Sequence, residues 1–403
     1  MKILQINAVY DISSTGKTTT LLQNHINNNT ENICKSAFSY GGSQADGYII
    51  GTSFDRKIHG FLSRFFGKQA WFSKGATKKL LEYVDEYKPD VVHLRNLHGN
   101  YINFPMLMKY ISENNISTII TLHDCWSFTG KCCHYTVDKC YKWKTGCGNC
   151  PRLSKDNKSW FVDRTSSMWK EKKRLYNNVP NLAVIGVSDW ITNEGRKSPL
   201  FENVKIFKRI YNGIDKSVFF PRETDLRQRF NLSDKRIVLA VASGWSESKG
   251  LSEIFRLSDM FDESYRVVMI GAYDGITPDK VIHIPATANQ KELAEWYSTA
   301  DVFITMSREE TFGKVSAEAL MCGTPIVCYN STANPELVGE NCGYVCKSGE
   351  IEEFKELIEK VVNNGKEAYC KSCTEFANGN FSFEKCFEEH LKLYEELQMM
   401  SEK

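Results

Sequence analysis

The chain has 403 residues, of which 42% are apolar and 25% charged, with a formal net charge of +2. That length suits two globular domains better than one core, and a near-neutral balance gives no global field to draw nucleic acid. No apolar run approaches the roughly twenty residues of a membrane span. The Met1–Ile6 segment has neither the apolar stretch nor the small-residue cleavage site of a signal peptide, so a cytoplasmic protein is expected.

Short apolar runs alternate with longer amphipathic segments. Lys2–Ala8 reads as a first strand, followed by a Ser/Thr/Gly turn and a helix near Thr18–Asn27. Val91–Leu94, Ser117–Leu122 and Leu182–Val187 read as further strands. A second series starts after Tyr211-Asn212-Gly213, with strands at Ile237–Ala242, Tyr265–Ile270, a short His283–Pro285, Val302–Thr305 and Pro325–Tyr329. Helices are expected at Gln290–Thr299, Val315–Met321 and about Phe383–Leu397. This β-α-β rhythm predicts an α/β protein whose parallel sheets are covered on both faces. Arg209–Arg222, with its Asn-Gly and a Pro, reads as the linker. The predicted domains are 1–208, with a Cys-rich insertion at about 125–155, then 209–380, then a helical segment 381–403.

The strongest signal is Ser307-Arg308-Glu309-Glu310-Thr311-Phe312-Gly313-Lys314-Val315-Ser316-Ala317-Glu318. It follows a β-branched strand and enters a helix. A glycine turn at a helix start offers free backbone N–H groups and the positive end of the dipole, a natural seat for a diphosphate. Glu310 and Glu318 flank it with seven residues between them. Taken alone, two such glutamates could as well be a helix cap and a surface acid.

The surrounding pattern decides between these readings. The stretch resembles the E-x7-E motif of glycosyltransferase family 4, a large retaining family with the GT-B fold, and looks similar to bacterial surface-polysaccharide glycosyltransferases. The match runs on through Gly323-Thr324-Pro325-Ile326-Val327 to Pro335-Glu336. Upstream, Val187-Ser188-Asp189-Trp190 and Asn212-Gly213-Ile214-Asp215 with Phe219 and Pro221 look like the family's strand end and hinge. The resemblance implies two Rossmann-like domains facing across a cleft, with the last helix crossing back to the first. It implies transfer of a sugar from a UDP- or GDP-sugar to a glycan or polyprenyl-linked acceptor in cell-surface polysaccharide synthesis, with no cofactor required for catalysis.

By the same resemblance, Glu310 contacts the donor sugar and Glu318 the nucleotide ribose. The amides of Gly313, Lys314 and Val315, next to Phe312, hold the diphosphate, and Lys249 in Ser246-Glu247-Ser248-Lys249-Gly250 neutralises the leaving group. The family places an arginine shortly before this lysine; Ala242-Ser243-Gly244-Trp245 holds none, and Arg308 and Lys314 are the candidate substitutes. In the first half, Thr121-Leu122-His123-Asp124 resembles the family's His-Asp strand end, which makes His123 and Asp124 catalytic candidates. Ser13-Ser14-Thr15-Gly16-Lys17-Thr18 is not a phosphate-binding P-loop, because Asp11 stands where that pattern needs glycine. Gly16 remains a candidate donor contact.

Five of the 14 cysteines fall between Cys132 and Cys150. Cys132, Cys140 and the knuckle Cys147-Gly148-Asn149-Cys150 have spacing for a closed tetrahedral zinc site of structural type, with Cys133 or His134 as substitutes; disulfides or free thiols are the alternatives. Between Arg56 and Lys79, seven basic residues and no acidic ones interleave with Phe61, Phe65, Phe66, Trp71 and Phe72. Such a segment suits peripheral contact with an anionic membrane, but a helix with its aromatics in the core is the reading preferred here. Two other functions fit parts of the pattern: a sugar-nucleotide epimerase or glycan phosphorylase on the same fold, and a zinc-knuckle nucleic-acid binder, which the charge disfavours.

Overall fold

The computed structural model describes residues 1–41 and 46–401. The chain divides into two compact units, Met1–Ile210 with the chain from Phe387 onward, and Tyr211–Cys386. The last two residues of the expected C-terminal segment, 402 and 403, lie outside the described residues.

The first unit is built on a sheet of seven parallel strands: β1 (Lys2–Tyr10), β2 (Ile33–Gly41), β3 (Tyr48–Ile49), β4 (Val91–Leu94), β5 (Ser117–Leu122), β6 (Leu182–Gly186) and β7 (Ile206–Arg209). Their spatial order is 3-2-1-4-5-6-7. The second unit has six parallel strands: β8 (Arg236–Gly244), β9 (Tyr265–Ala272), β10 (Val281–Ile284), β11 (Val302–Thr305), β12 (Ile326–Tyr329) and β13 (Gly343–Cys346), in the order 10-9-8-11-12-13. Each unit is therefore a doubly wound, Rossmann-like α/β sheet. In each the order reverses beside the first strand, between β1 and β4 and between β8 and β11. Crossovers leave such a pair on opposite faces, which opens a crevice at the strands' carboxyl ends.

β4, β5 and β6 are buried along their whole length, which is why they read as continuous apolar runs. The exception inside β4 is His93. Its ring is fully buried and bonds the Tyr394 hydroxyl at 2.7 Å and Thr121 Oγ1 at 2.6 Å. Leaving such a ring unpaired would cost about 1–3 kcal/mol. Tyr394 lies on the Phe383–Ser401 helix, whose Leu393, Tyr394 and Leu397 are buried. This is how the last helix enters the first unit.

The chain passes from one unit to the next between Ile210 and Tyr211, inside the expected linker. The start of the second unit is strapped down: the Ile214 amide donates to Phe381 O at 2.7 Å, and Phe383 N–H donates to Ile214 O at 3.2 Å. A Cβ on Gly213 would stand 2.2 Å from the Phe383 ring, so this crossing admits only glycine.

Candidate functional site

At the reversal in the second unit, the loops leaving β8 and β11 meet. Lys249 ends the first loop and forms an ion pair with Glu310 of the second; its ammonium also reaches Ser307 Oγ at 3.4 Å. Gly250, at φ +78°, caps the Leu251–Met260 helix. A Cβ there would lie 2.5 Å from that of Met306, so glycine lets the two loops touch. Glu310 is fixed from behind, its amide donating to Thr332 Oγ1 at 2.8 Å and its carbonyl accepting from Ala333 N–H at 3.2 Å. Both members of the pair stay partly open to solvent, at 31% and 20% of their side-chain surface. A pair this exposed adds at most about 1 kcal/mol to stability.

Gly313, at φ +94°, starts the Lys314–Met321 helix with no side-chain cap. Among the described residues, the Asn334 carboxamide is the buried group nearest this turn that has an oxygen without a hydrogen-bond partner; its Nδ2 is held by Ser307 O at 2.9 Å. The remaining expected donor contacts separate. Val315 is half-buried in the first turn of that helix. Phe312 is buried against Tyr211 and Phe381. Glu318 is buried; it accepts from the Tyr297 hydroxyl at 3.1 Å and faces Lys314 Nζ at 3.5 Å. Arg308 turns to Glu253 at 3.2 Å. Where the resemblance expects an arginine, Trp245 instead donates through Nε1 to Ile270 O at 3.2 Å.

In the first unit, polar residues gather at the ends of β4 and β5. His98 Nε2 and Asp124 Oδ2 are 2.7 Å apart, and the Trp126 amide donates to Asp124 Oδ1 at 2.8 Å. Burial opposes the Asp124 charge, but His98 and that amide hold its carboxyl down to about 2. Cys133 Sγ lies 3.8 Å from the same His98 nitrogen. His123 is kept neutral, its imidazole pushed down to about 3 by burial and by Arg95. Gly16 sits in the first turn of the Ser13–Asn29 helix, where a Cβ would meet Val9 at 3.2 Å and the Asp11 amide at 3.3 Å. It serves the close approach of helix to strand.

The basic aromatic segment runs through a helix, Ser53–Phe66, started by a Thr52/Asp55 capping box, into a second helix, Lys74–Tyr87, with Trp71 and Phe72 half-buried between them against Phe104 and His59. For the first helix, the preferred expectation, aromatics in the core, is overturned. The buried side carries His59, Gly60 and Ser63, while Phe61, Phe65 and Phe66 are 52%, 42% and 47% exposed. The reason is distant in sequence: Trp160 and Phe161, also exposed, stack edge-on to Phe61 and Phe65 at 5.7 and 5.4 Å. Beside them lies a polar cavity of about 390 Å³ lined by Arg64, Gln69, Asn100, Asn157, Lys158 and Trp160, among others. Sequence reasoning missed this cavity because its walls come from four separate segments. The four expected zinc ligands line a different, much smaller cavity.

Residues 222–379 match the family described as glycosyl transferases group 1. A putative colanic acid biosynthesis glycosyl transferase of Escherichia coli K12 is 22% identical over 325 residues, 77% of each chain. The N-acetyl-alpha-D-glucosaminyl L-malate synthase of Bacillus anthracis is 25% identical over 41% of this chain and 46% of its own. Among solved structures, HepE of Anabaena in complex with UDP and glucose superposes with a TM-score of 0.67 at 15% identity, over 98% of this chain and all of that one. The sucrose-phosphate synthase of Thermosynechococcus elongatus gives 0.66 at 14%, over 98% of both. At these identities the structures establish the shared GT-B type of fold.

Proposed function

We propose that the protein is a retaining glycosyltransferase that moves a sugar from a nucleotide-sugar donor to a lipid-linked glycan acceptor during cell-surface polysaccharide synthesis. The observation that carries this reading is the Lys249–Glu310 pair set beside the uncapped Gly313 turn at the strand-order reversal of the second unit. A diphosphate on the turn takes the ammonium from Glu310, and the freed carboxylate accepts from a hydroxyl of the sugar. The acceptor oxygen bonds to C1 as the C1–O bond to the diphosphate breaks on the same face. The proton passes to the departing phosphate, so no side-chain base is needed. Lys249 and the amides of Gly313, Lys314 and Val315 stabilise the charge that develops. The colanic acid relative and the UDP complexes of the Anabaena structure support this donor class and pathway type.

The acceptor belongs to the first unit. The exposed Phe61–Phe65–Trp160–Phe161 cluster, with Lys57, Arg64 and Lys158 around it, suits the surface of an anionic bilayer. The adjoining cavity, with two cations, one carboxylate (Asp156), three carboxamides and an indole, suits the hydroxyl groups of a glycan's first sugars. No helix among the described residues is long and apolar enough to cross a membrane. The aromatic and basic cluster supports a reading in which the protein works at the inner face of the membrane.

The test is a thermal-shift and hydrolysis screen against UDP-, GDP-, ADP- and CMP-sugars. Stabilisation by one nucleotide class with slow sugar release, the released sugar keeping its anomeric configuration, is the expected result. Inversion at C1 would overturn the retaining mechanism, and a change in the donor without transfer would point to an epimerase.

A further inference from the structure

Two lysines in the insertion after β5 are buried without a carboxylate partner. Lys131 is 2% exposed, and its ammonium donates to the carbonyls of Leu153, Lys155 and Asn157 at 3.2, 2.7 and 3.2 Å. Lys172 is fully buried; it donates to Trp126 O and Thr129 O at 2.5 and 3.1 Å and lies 3.4 Å from the Trp126 ring centroid. Among the described residues neither lysine lies within ion-pair distance of an acid. Carbonyl dipoles and a ring face solvate an ammonium, but they do not neutralise it, and two buried positive charges need a counter-charge nearby.

Asp124 acts on Lys172 and Asp156 on Lys131 from beyond ion-pair distance, and the remaining groups that could supply it are thiols. Cys132, Cys140, Cys147 and Cys150 line one cavity of about 20 Å³, together with Lys131. That is room for a single small ion or water. The chain is shaped around it. Gly146 and Gly148 take φ of +135° and +144°, and Asn149 takes +46°, which makes the tight turn that brings Cys150 back toward Cys147. Lys142 clamps this turn through Gly148 O and Asn149 O at 3.1 and 2.7 Å. The Gly130 amide donates to Cys147 Sγ at 3.2 Å, the Arg152 amide to Cys150, and the Cys132 and Cys150 sulfurs share a hydrogen bond. Cys133 is outside this set: it faces Asn157 and His98 instead.

We infer that Cys132, Cys140, Cys147 and Cys150 bind one zinc ion as a closed tetrathiolate site, whose net charge of −2 neutralises Lys131 and Lys172. The charges balance as +2 for the ion, −4 for the thiolates and +2 for the lysines; the four protons leave to solvent. The donor atoms that already lie within 4.8 Å of one another are those of His98, Asp124 and Cys133. The four sulfurs around the cavity stand wider, and zinc–sulfur bonds of about 2.3 Å would draw them together. The role is structural: the ion ties 130–132 to 140–150, holding an insertion that borders the His98–Asp124 end of β5.

Elemental analysis of the full chain, purified without chelator, tests this. One zinc per chain is expected, lost in Cys147→Ser and Cys150→Ser and kept in Cys133→Ser and Cys328→Ser. Should the serine variants fail to fold, cobalt substitution in the unaltered protein should give the intense visible and near-ultraviolet bands of tetrahedral thiolate coordination. Lys172→Met should speed zinc release to a chelator by about ten- to a hundredfold, as loss of an outer-shell partner does. Absence of metal after incubation with a zinc salt, or a Cys132–Cys150 disulfide in the non-reduced peptide map, would overturn the assignment.

Discussion

The two units share one plan and arm it differently. Both sheets reverse their strand order beside the first strand, and both bring loops together there. In the second unit those loops end in Lys249 and Glu310, partly open to solvent and set beside an uncapped helix start. In the first, imidazoles and amides fill the same place, largely buried, with His93 and His123 held neutral and Asp124 ionised by its neighbours. Partly exposed, opposed charges suit a ligand that carries its own large charge. Buried imidazoles and amides around one carboxylate suit hydroxyl groups. The topology supplies the crevice, and the loop residues decide what each unit can hold.

The widest gap between the units is expected in catalysis. Lys249→Ala and Glu310→Ala should each lower transfer by about a hundred- to a thousandfold, since each removes a charge that matters when the leaving group departs. Melting should move by no more than about 2–4 °C, because an ion pair this exposed contributes at most about 1 kcal/mol. His123→Ala should cost less than either. A larger loss for His123→Ala would transfer the main electrostatic role to the first unit and break the comparison.

Acid should separate the units next. Burial pushes His59 down to about 4 and His123 to about 3 and holds His93 well below its ordinary value, and all three lie in the first unit. Unfolded histidine takes its proton near pH 6.5, so below that pH the unfolded chain binds more protons than the folded one, and stability falls as pH drops from about 6.5 toward 4. With three such groups the slope reaches about 4 kcal/mol per pH unit. Urea denaturation between pH 7 and 4.5, followed by hydrogen exchange, should show the first unit opening before the second. Simultaneous loss of both would mean that the buried imidazoles do not set acid stability.

The sequence reading was sharpest where one local rule suffices. β4, β5 and β11 were bounded to the residue because a buried parallel strand is a short apolar run. β2 was missed: its buried residues, Cys34, Ser36, Ala37, Phe38 and Ser39, mix apolar and polar side chains, so no continuous apolar run marks it. β7 and β13, four residues each and partly exposed, were missed as well. Lys249 and Glu310 were each legible through the motif, while their pairing and its supports, Thr332, Asn334 and the Gly250–Met306 contact, were not, since each joins segments far apart in sequence. The aromatic helix failed for the same reason. Its composition was plain, but Trp160 and Phe161, about a hundred residues on, determine which side faces out.

That outward face gives a smaller, distinctive effect. Phe61→Ser with Phe65→Ser removes two half-exposed rings without opening the core. Each ring should be worth about 1 kcal/mol at a membrane interface, so binding to vesicles containing phosphatidylglycerol should fall by about thirtyfold, with donor hydrolysis unchanged. Equal binding of the unaltered protein to neutral phosphatidylcholine vesicles would remove the electrostatic part of the argument.

The smallest effect expected is at Arg308, and it bears on how the second unit manages without the arginine that the resemblance calls for. The Arg308 guanidinium is half-exposed and bonds Glu253 Oε1 at 3.2 Å, the same carboxylate oxygen that accepts from the Tyr329 hydroxyl at 2.9 Å. To reach a phosphate it would have to leave Glu253 charged beside that phosphate, and the repulsion would cancel much of the gain. Arg308→Ala should therefore raise the donor KM less than about threefold and leave kcat alone, within the 0–1 kcal/mol that exposed ion pairs carry. Lys314→Ala should do more, because Lys314 sits in the first turn of the helix behind Gly313, next to the amides proposed to hold the diphosphate. If Arg308→Ala instead lowered kcat as Lys249→Ala does, the guanidinium would have swung away from Glu253 on donor binding, and the clamp would be an arginine–lysine pair drawn from the β11 and β8 loops.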